Sequence, residues 1–141
     1  MRKITLAFAV AAGFLLLAAC RTEKSPSDSG ASSEAYHKIT AEEAKEMIDE
    51  GDVTVVDVRR ADEYKAGHIP GSVLVPNEEI KDEQPEELPD LDAVLLVHCR
   101  TGIRSKQASD KLVEIGYKNV YDFGGIVDWP YETVAEDGAG Q

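Results

Sequence analysis

Two cysteines, Cys20 and Cys99, are all that 141 residues contain. So small a number excludes a disulfide framework, and if one of the two is otherwise engaged the other has no intramolecular partner. The three histidines, His37, His68 and His98, are widely spaced. They form no metal-ligand pattern with a single thiol, so no metal or organic cofactor is expected. Basic residues are also scarce, 15 against 27 acidic ones for a formal net charge of −12. A surface of that sign repels nucleic acid, and nucleic-acid binding is excluded on that ground. The acids gather at Glu42, Glu43, Glu46, Asp49 and Glu50 and again between Asp82 and Asp92. There they read as solvated helix faces and loops, with an acidic docking patch as the alternative. No internal repeat is visible.

Only the N-terminus has a long apolar run. Arg2 and Lys3 precede Ile4 to Ala19, interrupted only by Thr5. The run is shorter than the roughly 18 residues a membrane span needs, and it reads as a secretory signal. It closes in Leu17-Ala18-Ala19-Cys20, which resembles the bacterial lipobox. That resemblance implies removal of residues 1–19, a lipid on the Cys20 thiol and anchorage to a membrane outside the cytoplasm, in the bacterial cell envelope. Residues 20–35 then form a polar, flexible tether rich in Ser, Asp, Glu, Lys and Gly. What remains suffices for one small domain, residues 36–130, followed by a short tail, 131–141.

Within that domain the patterns alternate. His37 to Ile39 suits a short edge strand. Thr40 and Glu43 make a capping box for a helix whose stripe is Ala44, Met47 and Ile48 and whose stop is Gly51. Val53 to Asp57 is a β-branched strand; a short helix near Asp62 to Ala66 ends at Gly67; Ser72 to Val75 is a further strand. Residues 77–92, acidic and carrying Pro85 and Pro89, read as a loop with a helical turn near Glu78 to Ile80. Ala93 to His98 is a continuous apolar strand. Ser105 is expected to cap a helix with the face Ala108, Leu112 and Ile115, ended by Gly116. Asn119 to Asp122 is a last strand, Phe123 to Gly125 a turn, and a final helical segment reaches Trp129. Strands separated by helices predict an α/β fold, a small parallel sheet with helices on both faces.

The chemistry concentrates in His98 to Ala108, where Cys99 opens a doubly basic loop leading from a strand into a helix. That is the edge of an open α/β sheet at which ligands bind. Gly102 lets the backbone curl so that N–H groups turn inward, the positive helix end faces the same centre, and Arg100 and Arg104 add full charges. Each favours thiolate over thiol, which makes Cys99 the expected nucleophile, and the same cradle would hold an anion. Cysteine phosphatases place five residues between cysteine and arginine. Here Arg100, Thr101, Gly102 and Ile103 make four, a tighter loop suited to one sulfur atom.

At this point the chain resembles a single-domain rhodanese. Asp57-Val58-Arg59, Glu63-Tyr64 and Gly67-His68-Ile69-Pro70-Gly71-Ser72 are similar to the family's first signature, with Ser72 in place of the usual alanine. Asn77 falls at a usual asparagine, and Phe123-Gly124-Gly125-Ile126 with Trp129 is similar to the closing signature. The resemblance implies a rhodanese-like fold and sulfur transfer through a Cys99 persulfide, with Arg100, Thr101, Gly102, Ile103 and Arg104 binding the substrate. The donor would be a small thiosulfate-like anion, the acceptor a thiol or cyanide, and the active species a monomer. Asp57, Arg59 and His68 are supporting residues: Arg59 is expected to pair with an acid such as Glu63, and His68 to be a hydrogen-bonded scaffold residue. His98 points away from Cys99, as neighbours on a strand do. Two alternatives stand beside this reading, a catalytically idle module that binds a partner and a thiol-dependent phosphatase or arsenate reductase. Loop length argues against the phosphatase, and retention of Cys99 with Arg104 against the idle module.

Overall fold

The computed structural model describes residues 34–136. The apolar N-terminal run, Cys20 and most of the tether lie outside the described residues, as does the end of the tail. Five strands form one sheet: β1 (Tyr36–Lys38), β2 (Val53–Asp57), β3 (Val73–Leu74), β4 (Val94–Cys99) and β5 (Asn119–Gly125). Their order across the sheet is β1-β5-β4-β2-β3, and every pairing is parallel. Three helices connect them: α1 (Ala41–Glu50), α2 (Ala61–Ala66) and α3 (Ile103–Ile115), with a 3₁₀ turn at Ile126–Asp128.

The expected sheet covered on both faces is present, because each central strand is apolar on both sides. Val56, Leu95, Val97 and Val120 pack under Ala108 and Leu112 of α3, while Val55 and Leu96 pack with Ala44 of α1, Phe123 and Trp129. Each such aliphatic side chain contributes about 1.5–3 kcal/mol on burial. α1 starts at the predicted capping box: Thr40 Oγ1 accepts from Glu43 N at 3.2 Å, and Glu43 Oε2 from Thr40 N at 2.8 Å.

Two local expectations are corrected. Ser105 does not cap α3; the cap is Gly102 in the left-handed region, φ 102°, and Ser105 is fully buried one turn in. A left-handed residue closes the four-residue loop, and only glycine takes that conformation without strain. The last strand does not turn at Phe123. It runs on to Gly125 with an irregularity opposite Val97 and His98 of β4, since Gly124 and Gly125 still pair with His98 and Cys99. Cys99 is the last residue of β4, so its backbone is held by the sheet.

Candidate active site

Cys99 is a free thiol, 1% exposed, on the face of the sheet covered by α3. Its Sγ lies 3.0 Å from the amide nitrogen of Gly102, which donates to it. The loop between them is fastened from outside. The Arg100 carbonyl accepts from Val127 N at 3.2 Å. Gly125 lies against the loop so closely that a Cβ there would stand 2.3 Å from the Arg100 oxygen and 2.7 Å from the Thr101 Cα. At Gly102 an added Cβ would stand 3.5 Å from the Gly124 Cα. Two backbone segments therefore touch without side chains between them, which is why a glycine pair ends β5.

The two arginines differ. Arg100 is exposed and, among the described residues, makes no ion pair. Arg104 is engaged by a carboxylate: Nη1 and Nη2 donate to Glu63 Oε2 and Oε1 at 2.7 and 2.9 Å. Those hydrogen bonds, joined by one from the Arg60 amide, hold the Glu63 carboxyl down at about 2, against the pull of its burial. The same pair raises the Arg104 guanidinium further. Thr101 is exposed, and Ile103 stands out at 69% exposure beside the loop.

The expectation that Arg59 pairs with Glu63 is overturned. Arg59 turns back onto Asp57, with Nε 2.9 Å from Oδ1 and Nη2 2.6 Å from Oδ2, and Nη2 also donates to the Gly67 carbonyl at 2.7 Å. Both residues are buried at the end of β2, where a guanidinium two residues from a carboxylate closes a planar, bidentate contact that a more distant acid cannot better. Glu63 on α2 is thereby free to reach across to α3.

His98 points to the α1 face, as expected, with its ring 5.1 Å from Phe123. Its Nδ1 is 3.2 Å from the Cys99 carbonyl and its Nε2 is 3.7 Å from Asp57 Oδ2. Burial lowers its basicity, outweighing the Asp57 charge. His68 stacks on Tyr64 with ring centres 3.8 Å apart, its Nδ1 bonds the Tyr64 carbonyl at 2.9 Å, and its backbone pairs with Val134. These contacts brace the turn after α2.

Sequence reasoning passed over Asp122 and took Ser105 only for a cap. Both are buried behind the loop, with Ser105 Oγ 2.8 Å from Asp122 Oδ1. The available signal was an acid in an apolar strand two residues before a glycine pair.

Residues 40–131 match the Rhodanese-like domain family. Over 96 residues the chain is 34% identical to the thiosulfate sulfurtransferase GlpE of Pseudoalteromonas translucida, covering 67% of this chain and 90% of that one. It is 32% identical over 98 residues to the tRNA uridine(34) hydroxylase of Yersinia pestis, but those residues are 66% of this chain and only 28% of that longer protein. Among solved structures, a rhodanese-related protein from Thermoplasma volcanium superposes with a TM-score of 0.61 at 31% identity, covering 70% of this chain and 98% of the other. A cysteine closing a parallel strand, a four-residue loop capped by a left-handed glycine and a family match over residues 40–131 lead to one conclusion: this chain belongs to the rhodanese-like family.

Proposed function

We propose that the protein is a thiosulfate-type sulfurtransferase with Cys99 as its nucleophile. The observation that carries this reading is the Cys99 sulfur at 3.0 Å from the Gly102 amide, inside a loop whose arginine follows after only four residues. The Cys99 thiolate attacks the outer sulfur of the donor. A new S–S bond forms, the donor's S–S bond breaks, and sulfite leaves with the bonding electron pair. The persulfide stays in the loop, where the Gly102 N–H faces it. A thiol or cyanide then attacks the outer sulfur, and the Cys99 thiolate is regenerated. Every electron stays paired, so the exchange requires neither a metal nor a redox cofactor.

Arg100, exposed and without an ion pair among the described residues, is the group available to draw in the donor's anionic end. Arg104 is held by Glu63 at the back of the loop and adds positive field from a fixed position. The likeness to a thiosulfate sulfurtransferase over 90% of that protein's length supports the same class of donor. Purified protein should form thiocyanate from thiosulfate and cyanide and carry a persulfide on Cys99 after exposure to thiosulfate alone, seen by mass spectrometry. Cys99→Ser should lose both. Normal turnover in Cys99→Ser would refute the mechanism.

We further propose, from the sequence of residues 1–20, that Cys20 is lipidated after removal of residues 1–19 and tethers the domain to the outside of the cytoplasmic boundary. In that case Cys99 is the one free thiol of the mature chain. Cys20→Ala should then accumulate as unprocessed precursor or lose its membrane association on fractionation. Mature, membrane-bound protein in that variant would sink the reading.

A further inference from the structure

Asp122 is a carboxylate buried to 1% exposure in β5, and no step of sulfur transfer as written uses it. Burying a carboxylate costs several kcal/mol unless its oxygens are well supplied with donors. Here Oδ1 accepts from Ser105 Oγ at 2.8 Å and from Gly124 N at 2.9 Å, and it lies 3.3 Å from Lys38 Nζ; Oδ2 accepts from the Tyr36 hydroxyl at 3.1 Å. Burial and the Asp122 charge push the Tyr36 hydroxyl up to about 12, so it remains a donor at every physiological pH.

These contacts run toward the catalytic sulfur. The single Ser105 hydroxyl proton is shared between Asp122 Oδ1 and the Gly102 carbonyl, 3.0 Å from Oγ, in a three-centre hydrogen bond, and that carbonyl also accepts from Lys106 N at 3.2 Å. The two peptide planes of Gly102 meet at its Cα, with φ 102° and ψ −12°. Holding its carbonyl on one side therefore sets the direction of its N–H on the other, and that N–H is the one on Cys99 Sγ. Tyr36 and Lys38 lie in β1, before residue 40 where the family match begins.

We propose that Asp122, gripped by Tyr36 and Lys38 of the edge strand, is a positioning residue that acts through Ser105 to hold the Gly102 N–H on the Cys99 sulfur. The edge strand is thereby part of the site's support, although it touches no reacting atom. The proposal rests on the sulfur-transfer reading only for its turnover assay.

The test uses the full chain and the variants Ser105→Ala, Tyr36→Phe, Asp122→Ala and Asp122→Asn. Iodoacetamide alkylation of Cys99 is followed by peptide mass spectrometry from roughly pH 5 to 9, because its rate tracks the thiolate fraction. Ser105→Ala and Tyr36→Phe remove single hydroxyls and should fold. Each should displace the alkylation profile from that of the unmodified protein and lower kcat for thiosulfate by about tenfold or more, with KM changed less than about twofold. Asp122→Asn, which retains an acceptor for Ser105 and Gly124, should recover most of what Asp122→Ala loses. An alkylation profile unchanged in both Ser105→Ala and Tyr36→Phe would overturn the proposal and leave Asp122 a structural carboxylate. If the unmodified protein transferred no sulfur, the functional reading would fail, while the alkylation profiles would still decide this one.

Discussion

Arg104 and Glu63, 41 residues apart in the chain, meet in a two-bond, side-by-side ion pair at 2.7 and 2.9 Å. It joins the first turn of α3 to α2 and is mostly shielded, with the side chains 25% and 16% exposed. The arginine that ends the Cys99 loop is thus immobilised before any substrate arrives. Such preorganisation lets a cation act on developing charge without reorganising.

This pair sets an acid limb of stability. The Glu63 carboxyl is held at about 2 in the folded chain against an ordinary 4.5. A depressed carboxyl stabilises the fold above its unfolded value and loses that contribution as pH falls through the folded one. Chemical denaturation should therefore show stability declining from about pH 4.5 toward 2. Glu63→Gln should be less stable at neutral pH by roughly 1–3 kcal/mol and should show a shallower decline in that acid window. An equally steep decline in Glu63→Gln would assign the acid limb to other carboxyls.

Removing the other partner should act on charge at the loop. Arg104→Ala leaves the Glu63 carboxylate uncompensated beside the thiol's surroundings. Negatively charged iodoacetate should then be disfavoured relative to neutral iodoacetamide, the ratio of their rates on Cys99 falling about threefold to tenfold. Taking a ratio cancels any change in the thiol itself. An unchanged ratio would mean that Arg104 contributes no field at the sulfur.

Gly125 marks where backbone meets backbone. Gly125→Ala would drive a methyl to 2.3 Å from the Arg100 carbonyl oxygen, and neither segment has a flexible end to yield. A loss of roughly 1–3 kcal/mol in unfolding free energy is expected, together with loss of persulfide formation. Gly67→Ala serves as the control, since nothing lies within 4 Å of a Cβ there. That variant should stay within about 0.5 kcal/mol of the parent.

The buried His98 sets a second pH window. Burial holds it neutral below its ordinary 6.5, so the unfolded chain takes up a proton that the folded chain refuses. Stability should decline as pH falls through 6.5, by at most about 1.4 kcal/mol per pH unit from this one group. His98→Leu should flatten that stretch, whatever its effect on absolute stability. A slope between about pH 6.5 and 5 identical in the two proteins would remove His98 as the cause.

Elements whose signals lie within a few neighbouring residues were legible in the sequence. The capping box at Thr40 and Glu43, the β-branched strand from Val53, the apolar strand before Cys99 and the stop at Gly116 all appear within a residue or so of their expected places. Local signals erred where tertiary packing or a better-placed partner outbid them. Ser105 had the chemistry of a cap, but Asp122, 17 residues on, takes its hydroxyl into the interior. Phe123 to Gly125 had the composition of a turn, yet the edge of β4 keeps those residues in the sheet. Arg59 had an acid four residues ahead and found a better one two residues behind.

By itself the sequence determined the alternation of strand and helix, the parallel sheet and the place of Cys99 in a short glycine-containing loop, because periodicity, capping and loop length are properties of adjacent residues. Only the tertiary structure decided which arginine meets which acid, and that an edge-strand tyrosine and lysine support the loop through a buried aspartate. Apart from Arg59 with Asp57, two positions apart, those pairings join residues 17 to 86 positions apart. Which partner wins is settled by distance and burial after the chain has closed, and no local pattern carries that information.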